Sequence, residues 1–479
     1  MNKNQKSKKF VLLTIILIIL TPLLYIVIYH QVGNNTIEIN KFYKPFLLQH
    51  TKNSRIIIES GSNSLYALDS YMIEKEFNIQ TINLSDAAAY PLKQKLLRIE
   101  KYLNKNDIIL LPLEWKYYSR IELGDYFKNN LLGKLHYYYN FNSNLDELIQ
   151  IANTPFINFT KNIKYKYRLS QKQHRYLGKN IEKFDKNERG TRINNKTILS
   201  QLTMSCDKYI FVKQIKNGFE LSDTFKDNIQ IIKRLQTKSK QIIFTWPTVV
   251  GDDCYSDKYR LKLDKFVIKL KKYLDDNEVL IIGNPYDSKF PTKDMADTFY
   301  HVKPNAKEVR TKKLIKLIKY HPVNKYFKRD KLQYQEDIKL SKNNMLNLLN
   351  RTCLAKEKIS FKSSKAIFQG WSHPEKEFRW SLNNSSIIYF RIDPNNLIGI
   401  LKLNINTLGK QNIKLAINGY DLGEKIVNGK NKQLKFNFDP TILNKNKINI
   451  IKFDFSNAHK PNAEDKRLLA MALKSFELE

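Results

Sequence analysis

The 479-residue chain has only three cysteines, too few for a disulfide-built scaffold or a multi-cysteine zinc ribbon. No His, Cys and carboxylate side chains fall at metal-ligand spacing, so neither a metal nor another cofactor is expected. Acidic residues are the second shortage: 46 Asp and Glu stand against 82 Lys and Arg, a formal net charge of +36. Such a surplus invites a nucleic-acid reading, but its distribution argues against one. Residues 361–479 carry 19 basic and 11 acidic residues, a surplus of 8. An even spread would put roughly 9 there, so the charge is not gathered into a binding stripe. At 42% hydrophobic and 27% charged, the chain is not a disordered tail. Its length exceeds one compact core and suggests two or three domains.

Residues 10–29 read FVLLTIILIILTPLLYIVIY, 20 positions without a charge. That suffices for a helix to cross ~30 Å of hydrocarbon. Lys3, Lys6, Lys8 and Lys9 precede the run, and no Lys or Arg follows until Lys41. Lysine excess marks the cytoplasmic side, so we expect a single-pass anchor in the cytoplasmic membrane. Its N-terminus would lie inside and the bulk of the chain would be periplasmic or extracellular. A cleaved signal peptide is the alternative, but no A-x-A site follows Tyr29. Export further weakens the nucleic-acid reading and leaves an anionic envelope or polysaccharide as a partner.

From Arg55 onward, short apolar runs alternate with helical spacing. Arg55–Glu59, Ile79–Leu84 and Asp107–Leu113 read as buried strands, with helices over Leu65–Phe77 and Tyr90–Leu103 between them. The alternation resumes with a helix over Ser222–Thr237, a strand Gln241–Trp246, a helix Lys258–Asp275, a strand Glu278–Ile282 and a closing helix Ala306–Tyr320. This order predicts an α/β fold with a doubly wound, flavodoxin-like parallel sheet, its site at the C-terminal ends of the strands. An insertion over about 115–221 is rich in Tyr, Lys and Asn, either a lid or membrane-facing cap or an ordinary helical elaboration. The expected organisation is a tail and anchor (1–33), an α/β domain (34–322), a helical linker (323–360) and an all-β sandwich (361–479). Short runs separated by Asn418-Gly419 and Asn428-Gly429 turns support the last assignment.

The first strand runs into Glu59-Ser60-Gly61-Ser62-Asn63-Ser64 and then a helix. A serine there meets free backbone N–H groups that can stabilise an oxyanion, but it needs a base. Asp297-Thr298-Phe299-Tyr300-His301, after the fifth strand, offers one: His301 would take the proton of Ser62, and Asp297 would orient the imidazole. The alternative is that Ser62 is a plain helix N-cap, a job for which Ser64 is also available. The remaining histidines, His321 and His373 among them, lack a partner at useful spacing. Glu114, ending the third strand at the same rim, is either a substrate ligand or a solvated loop carboxylate. Cys206 and Cys254 would be free to pair in an oxidising compartment, which spacing cannot establish.

These residues resemble the SGNH/GDSL hydrolase superfamily over about residues 50–320. The closer resemblance is to its envelope branch, which includes polysaccharide O-acetylation proteins and the teichoic-acid D-alanylation protein. Ser60-Gly61-Ser62-Asn63 stands at the first block, with Ser62 in the nucleophile position. DTFYHVKPNAKEVRTKKL matches the last block at Asp297, Thr298, Tyr300, His301, Arg310 and Thr311. The second block's glycine is replaced at Asn83-Leu84-Ser85, where Ser85 still offers a backbone N–H. The third block's G-x-N-D is absent, with Leu113-Glu114-Trp115 in its place. Asn63 or Asn284, in Gly283-Asn284-Pro285, would have to complete the oxyanion hole. In the C-terminal region, GWSHPE at 370–375, RWS at 379–381 and DKRLL at 465–469 resemble a β-sandwich appended to envelope glycan enzymes. Trp371 and Trp380 would either stack on sugars or close the sandwich core.

Together the resemblance implies a membrane-anchored esterase or O-acetyltransferase acting on cell-surface polysaccharide through Ser62, His301 and Asp297. A membrane acyl-donor protein would be a further partner. The competing expectation is a non-catalytic scaffold of an envelope polysaccharide assembly complex, which the altered second and third blocks favour.

Overall fold

The structure is a computed structural model. It describes residues 39–119, 180–191, 220–251, 257–347, 358–361, 366–372, 374–375, 377–392, 398–444, 448–465 and 467–479, with scattered positions between 7 and 24. No helix among the described residues is long and apolar enough to cross a membrane. The span expected over 10–29 lies only partly within them; residues 10–17 are helical, with Phe10, Leu12 and Leu13 exposed. Most of the insertion, Cys206, Cys254 and His373 lie outside the described residues. The described chain forms two compact units, divided at residues 187/188 and 339/340.

The first unit is an α/β layer structure. Helix α1 (Ile39–His50) leads into β1 (Arg55–Ile58), α2 (Ser62–Ala67), α3 (Ser70–Phe77), β2 (Gln80–Asn83), α4 (Leu92–Glu100), β3 (Ile108–Pro112) and the short α5 (Lys116–Ser119). After the insertion come α6 (Asp223–Lys238), β4 (Gln241–Thr245), β5 (Val249–Val250), α7 (Asp257–Asp275), β6 (Leu280–Ile281), β7 (Lys289–Phe290) and α8 (Pro304–Tyr320). The main sheet has the order β2-β1-β3-β4-β6, with every pairing parallel. Strands β1, β2 and β3 are buried along their whole length; β1 and β3 accordingly read as apolar runs, whereas β2 (QTIN) buries polar side chains. Helix α8 packs on α2 and α3, and α6 packs on α4. Ile56, Ile58, Ile108, Leu110 and Ile243 of the sheet meet Ile73, Phe77, Leu314 and Ile318 in one apolar cluster.

The helix expected over Leu65–Phe77 is two helices. Leu68 is extended (φ −119°), and Asp69 caps α3 by accepting the Tyr71 and Met72 N–H groups at 2.9 and 3.2 Å. The linker expected over 323–360 begins within this unit. Tyr334, on α9 (Lys331–Leu346), donates to Glu74 at 2.7 Å, and Asp337 accepts from Asn53 at 2.5 Å and from Arg329.

The second unit is an antiparallel sandwich. Its strands are β8 (Lys358–Ser360), β9 (Ala366–Gln369), β10 (Arg379–Leu382), β11 (Ser385–Arg391), β12 (Ile400–Thr407), β13 (Gln411–Ile417), β14 (Tyr420–Val427), β15 (Lys432–Asn437), β16 (Ile448–Phe455) and β17 (Leu469–Leu478). One sheet has the order β10-β17-β12-β15, with β8 on β17; the other is β14-β13-β16-β11-β9. Alternate residues fill the space between them, Leu401, Leu403 and Ile405 facing Ile413, Leu415, Ile417, Ile451 and Phe453. Asn418 (φ 50°) and Gly419 (φ 91°) make the tight β13–β14 turn that the Asn-Gly pair predicts. A short piece of the insertion belongs here too: Asp185 accepts from Lys342 at 3.0 Å and Gln369 at 3.1 Å.

Candidate active site

The C-terminal tips of β1 and β3 are stapled together by short polar side chains. Ser60 Oγ donates to the Pro112 carbonyl at 2.6 Å and to Asn63 Oδ1 at 2.8 Å, and Asn63 Nδ2 donates to the same carbonyl at 3.0 Å. Ser62, half-buried, opens α2 just beyond this staple. Glu114 enters from the end of β3 and is only 1% exposed, which excludes the solvated loop carboxylate. Its Oε1 accepts the Asn63 N–H at 3.0 Å. A Cβ on Gly61 would lie 2.2 Å from that oxygen, so the close approach requires glycine. Burial raises the pKa of Glu114, against the opposing pull of Lys116, the Asn63 bond and Lys95.

Asp297 and His301 meet in a tight loop. Met295 and Val302 bridge across it, and Ala296 N donates to His301 O at 2.8 Å. The closure brings His301 Nδ1 to 2.8 Å from Asp297 Oδ1. His301 is 8% exposed, while the Asp297 side chain is 43% exposed. The imidazole packs on the ring of Tyr66, with centroids 4.3 Å apart. Tyr66 lies four residues after Ser62, one turn along α2, so the two side chains share a helix face. Arg310 and Thr311, matched in the same block, make bonds within the fold. Arg310 donates to the Trp246 carbonyl at 2.7 Å, and Thr311 Oγ1 accepts the Asp69 N–H at 2.9 Å. They tie the end of β4 and the start of α3 to α8.

The other expected oxyanion donors are engaged elsewhere. The Ser85 N–H goes to Asn83 Oδ1 at 3.1 Å, and its carbonyl accepts from Lys44. Asn284 caps a 3-10 turn, exchanging bonds with Tyr286 and Asp287 at 3.0 and 2.9 Å. His321 likewise caps a 3-10 turn, accepting the Val323 N–H at 3.2 Å. In the sandwich, Trp371 is 2% exposed, donates to the Ile387 carbonyl at 3.1 Å and packs edge-on against Phe368 and Phe453. Of the two roles expected for Trp371, the structure has core closure and not sugar stacking, since its ring is buried. Trp380 is half-buried, edge-on to Phe378.

A buried ionic network behind the first strand was not anticipated. Glu59 and Asp86 are joined by Lys95 and Arg98 of α4, with Lys95 Nζ also 2.8 Å from the Ser60 carbonyl. All four are at most 4% exposed. Lys95 and Arg98 lie one turn apart between Leu92, Leu96 and Ile99, on the face that faces the core. Their spacing relative to those leucines was the available signal. Burial would raise the pKa of Asp86, but Lys95, Arg98 and Lys44 hold it at about 2. Burial lowers Lys44 to about 7, with the charges of Arg98 and Lys95 adding to that effect.

No family model matches the chain, and no curated protein matches it either. Among solved structures, an acetyl xylan esterase (Est2A) from the rumen bacterium Butyrivibrio proteoclasticus is similar at 12% identity and TM-score 0.19, covering 26% of this chain and 32% of that one. A family two carbohydrate esterase from Clostridium thermocellum, in complex with cellohexaose, is similar at 12% identity and TM-score 0.17, over 24% of this chain and 31% of that one. The carbohydrate-binding module CBM36, in complex with calcium and xylotriose, is similar at 12% identity and TM-score 0.20, over 26% of this chain and 99% of the module. The chain thus spans about a third of the length of the two esterases.

Proposed function

We propose that the chain is an SGNH-type acyl-ester enzyme, an esterase or O-acetyltransferase, that acts on cell-surface polysaccharide. In this reading Ser62 attacks the ester carbonyl, and His301, held by Asp297, is the acid–base group. The observation that carries the reading is the 2.8 Å Asp297–His301 pair, with its imidazole seated on Tyr66, one helical turn from Ser62. Water or a sugar hydroxyl accepts the acyl group, and the same residues serve hydrolysis and transfer. Anchoring through residues 10–29 and glycan binding by the sandwich belong to the proposal. So does an acyl-donor protein in the membrane.

A second reading, a non-catalytic scaffold of a polysaccharide assembly complex, is favoured by the engaged donors. The Asn63 N–H is bonded to Glu114 and the Ser85 N–H to Asn83. Loss of one oxyanion donor costs about 10²–10³ in rate. The test is turnover of an aryl acetate and an acetylated polysaccharide by the full chain and by Ser62→Ala. We expect turnover that the substitution abolishes. Turnover unchanged in Ser62→Ala removes Ser62 as nucleophile, and absence of turnover with both substrates favours the scaffold.

A further inference from the structure

A row of polar side chains crosses four strands on the sandwich sheet that contains β12. The register sets Ser360 of β8 opposite Ser475 of β17, Ser475 opposite Asn404 of β12, and Asn404 opposite Gln433 of β15. Leu403 and Ile405 face the core, so Asn404 and its row lie on the outer face. With strands ~4.8 Å apart, the row is ~14 Å long. Asn404 Nδ2 donates to Ser475 Oγ at 2.9 Å, while Gln433 Nε2 reaches Asn404 Oδ1 only at 3.5 Å. A groove of about 450 Å³ opens over this row, with Asn431, Lys432 and Lys474 on its walls. We propose that the groove binds an anionic saccharide, with carboxylate or phosphate oxygens at the two lysines and sugar hydroxyls on the amide and hydroxyl row. This rests on the glycan-binding reading of the sandwich and adds the place and the charge of the glycan.

An irregularity in β17 builds the site. Asn404 pairs with Ser475, but Ile405 pairs with Leu473, so Lys474 is an extra residue in the ladder. Leu473 and Phe476 both sit in the core although three positions apart, which turns Lys474 and Ser475 together to the outer side. A regular strand would send one of the two inward. Lys474 Nζ then donates to Asn431 Oδ1 at 2.6 Å, and Asn406 Oδ1 accepts the Asn431 N–H at 2.7 Å. The ammonium is therefore fixed at the groove by a neutral amide. Among the described residues neither Lys474 nor Lys432 has a carboxylate partner, whereas Lys402, further along β12, is neutralised by Glu479.

These features select the ligand. The groove has no aromatic ring among its lining residues, so the platform on which a neutral sugar stacks is missing. Hydrogen bonds exchanged with water add little net affinity each, which leaves charge to supply the attraction. A lysine ammonium is a point charge that accepts carboxylate and phosphate alike. Its serine, asparagine and glutamine neighbours offer both donors and acceptors, as sugar hydroxyls require.

The test titrates the full chain, in detergent, with an oligogalacturonate, its methyl ester and an oligomannoside carrying a phosphate monoester. At least one anionic oligosaccharide is expected to bind, the methyl ester at least ~10-fold more weakly, and the tighter anion tells carboxylate from phosphate. Lys474→Gln should weaken that binding about tenfold and Asn404→Ala about fivefold. Lys474→Arg, which keeps the charge, should retain it. Lys452→Gln makes the same charge change on β16 of the other sheet and should leave it unaltered. Equal affinity for the methyl ester, no binding of any of the three, or wild-type affinity in Lys474→Gln overturns the proposal. So does a loss in Lys452→Gln equal to that in Lys474→Gln, which would mean diffuse attraction to net charge. Aryl acetate turnover without oligosaccharide binding leaves the enzymatic reading standing and removes the groove. Binding without turnover does the reverse.

Discussion

At the scale of single residues, the site turns on how little room surrounds Gly61. An alanine Cβ there would lie 2.2 Å from Glu114 Oε1 and 2.6 Å from Ala88 Cβ, closer than side-chain contacts allow. One of these groups must shift, and Glu114 is the one that holds the Asn63 N–H. Gly61→Ala is therefore expected to cost about 1–3 kcal/mol of stability by overpacking. Denaturant titration would measure that loss. The Asp297–His301 pairing was legible in the sequence, because the two residues stand four apart in one short loop. The sequence could not reveal that Glu114 bends inward. A carboxylate after an apolar strand is usually solvated; here the Gly61 gap makes room for it, and the Asn63 N–H and the nearby Lys116 and Lys95 charges offset its burial.

At the scale of elements, α4 matters beyond its leucines. Lys95 and Arg98 reach inward to Glu59 and Asp86, linking the loop after β2 to the end of β1. Truncation of Arg98 would strand two buried carboxylates with Lys95 as their remaining partner in the network. Arg98→Ala should cost about 3–5 kcal/mol, measurable by urea unfolding. Binary patterning revealed most of the α/β elements because buried parallel strands and amphipathic helices carry strong periodic signals. It merged α2 with α3, since the Asp69 cap falls within an otherwise helical run. In the sandwich, β12, β13 and β16 alternate cleanly and were legible, whereas β14 was not. Strand β14 (YDLGEKIV) is mostly exposed and carries its strand geometry through pairing with β13 alone.

For the molecule as a whole, the surplus of 36 positive charges conceals a few buried acids whose ionisation the α/β fold depends on. Asp86 is held at about 2, below its ordinary 3.8. Between those values the unfolded chain binds the extra proton, so stability falls as acid is added. The contribution is complete above pH ~4 and lost towards pH ~2. Thermal unfolding between pH 5 and 2.5 should show that decline, and Asp86→Asn should begin less stable and decline less. The division into an α/β unit and a sandwich was legible from the change in pattern near Phe361. The return of Asp185 to the sandwich unit was not, because a single polar contact leaves no periodic trace. The links made by α1 have a mechanical consequence. Lys44 holds the Ser85 carbonyl, Tyr43 donates to the Glu188 carbonyl at 2.5 Å, and Leu48 O is grasped by Arg55 at 2.6 Å. Tension applied ahead of residue 39 would therefore reach the loop bearing Asp86 through Lys44 before it loads β1. A tether at the N-terminus would pull on the loop after the edge strand β2 ahead of the sheet's interior.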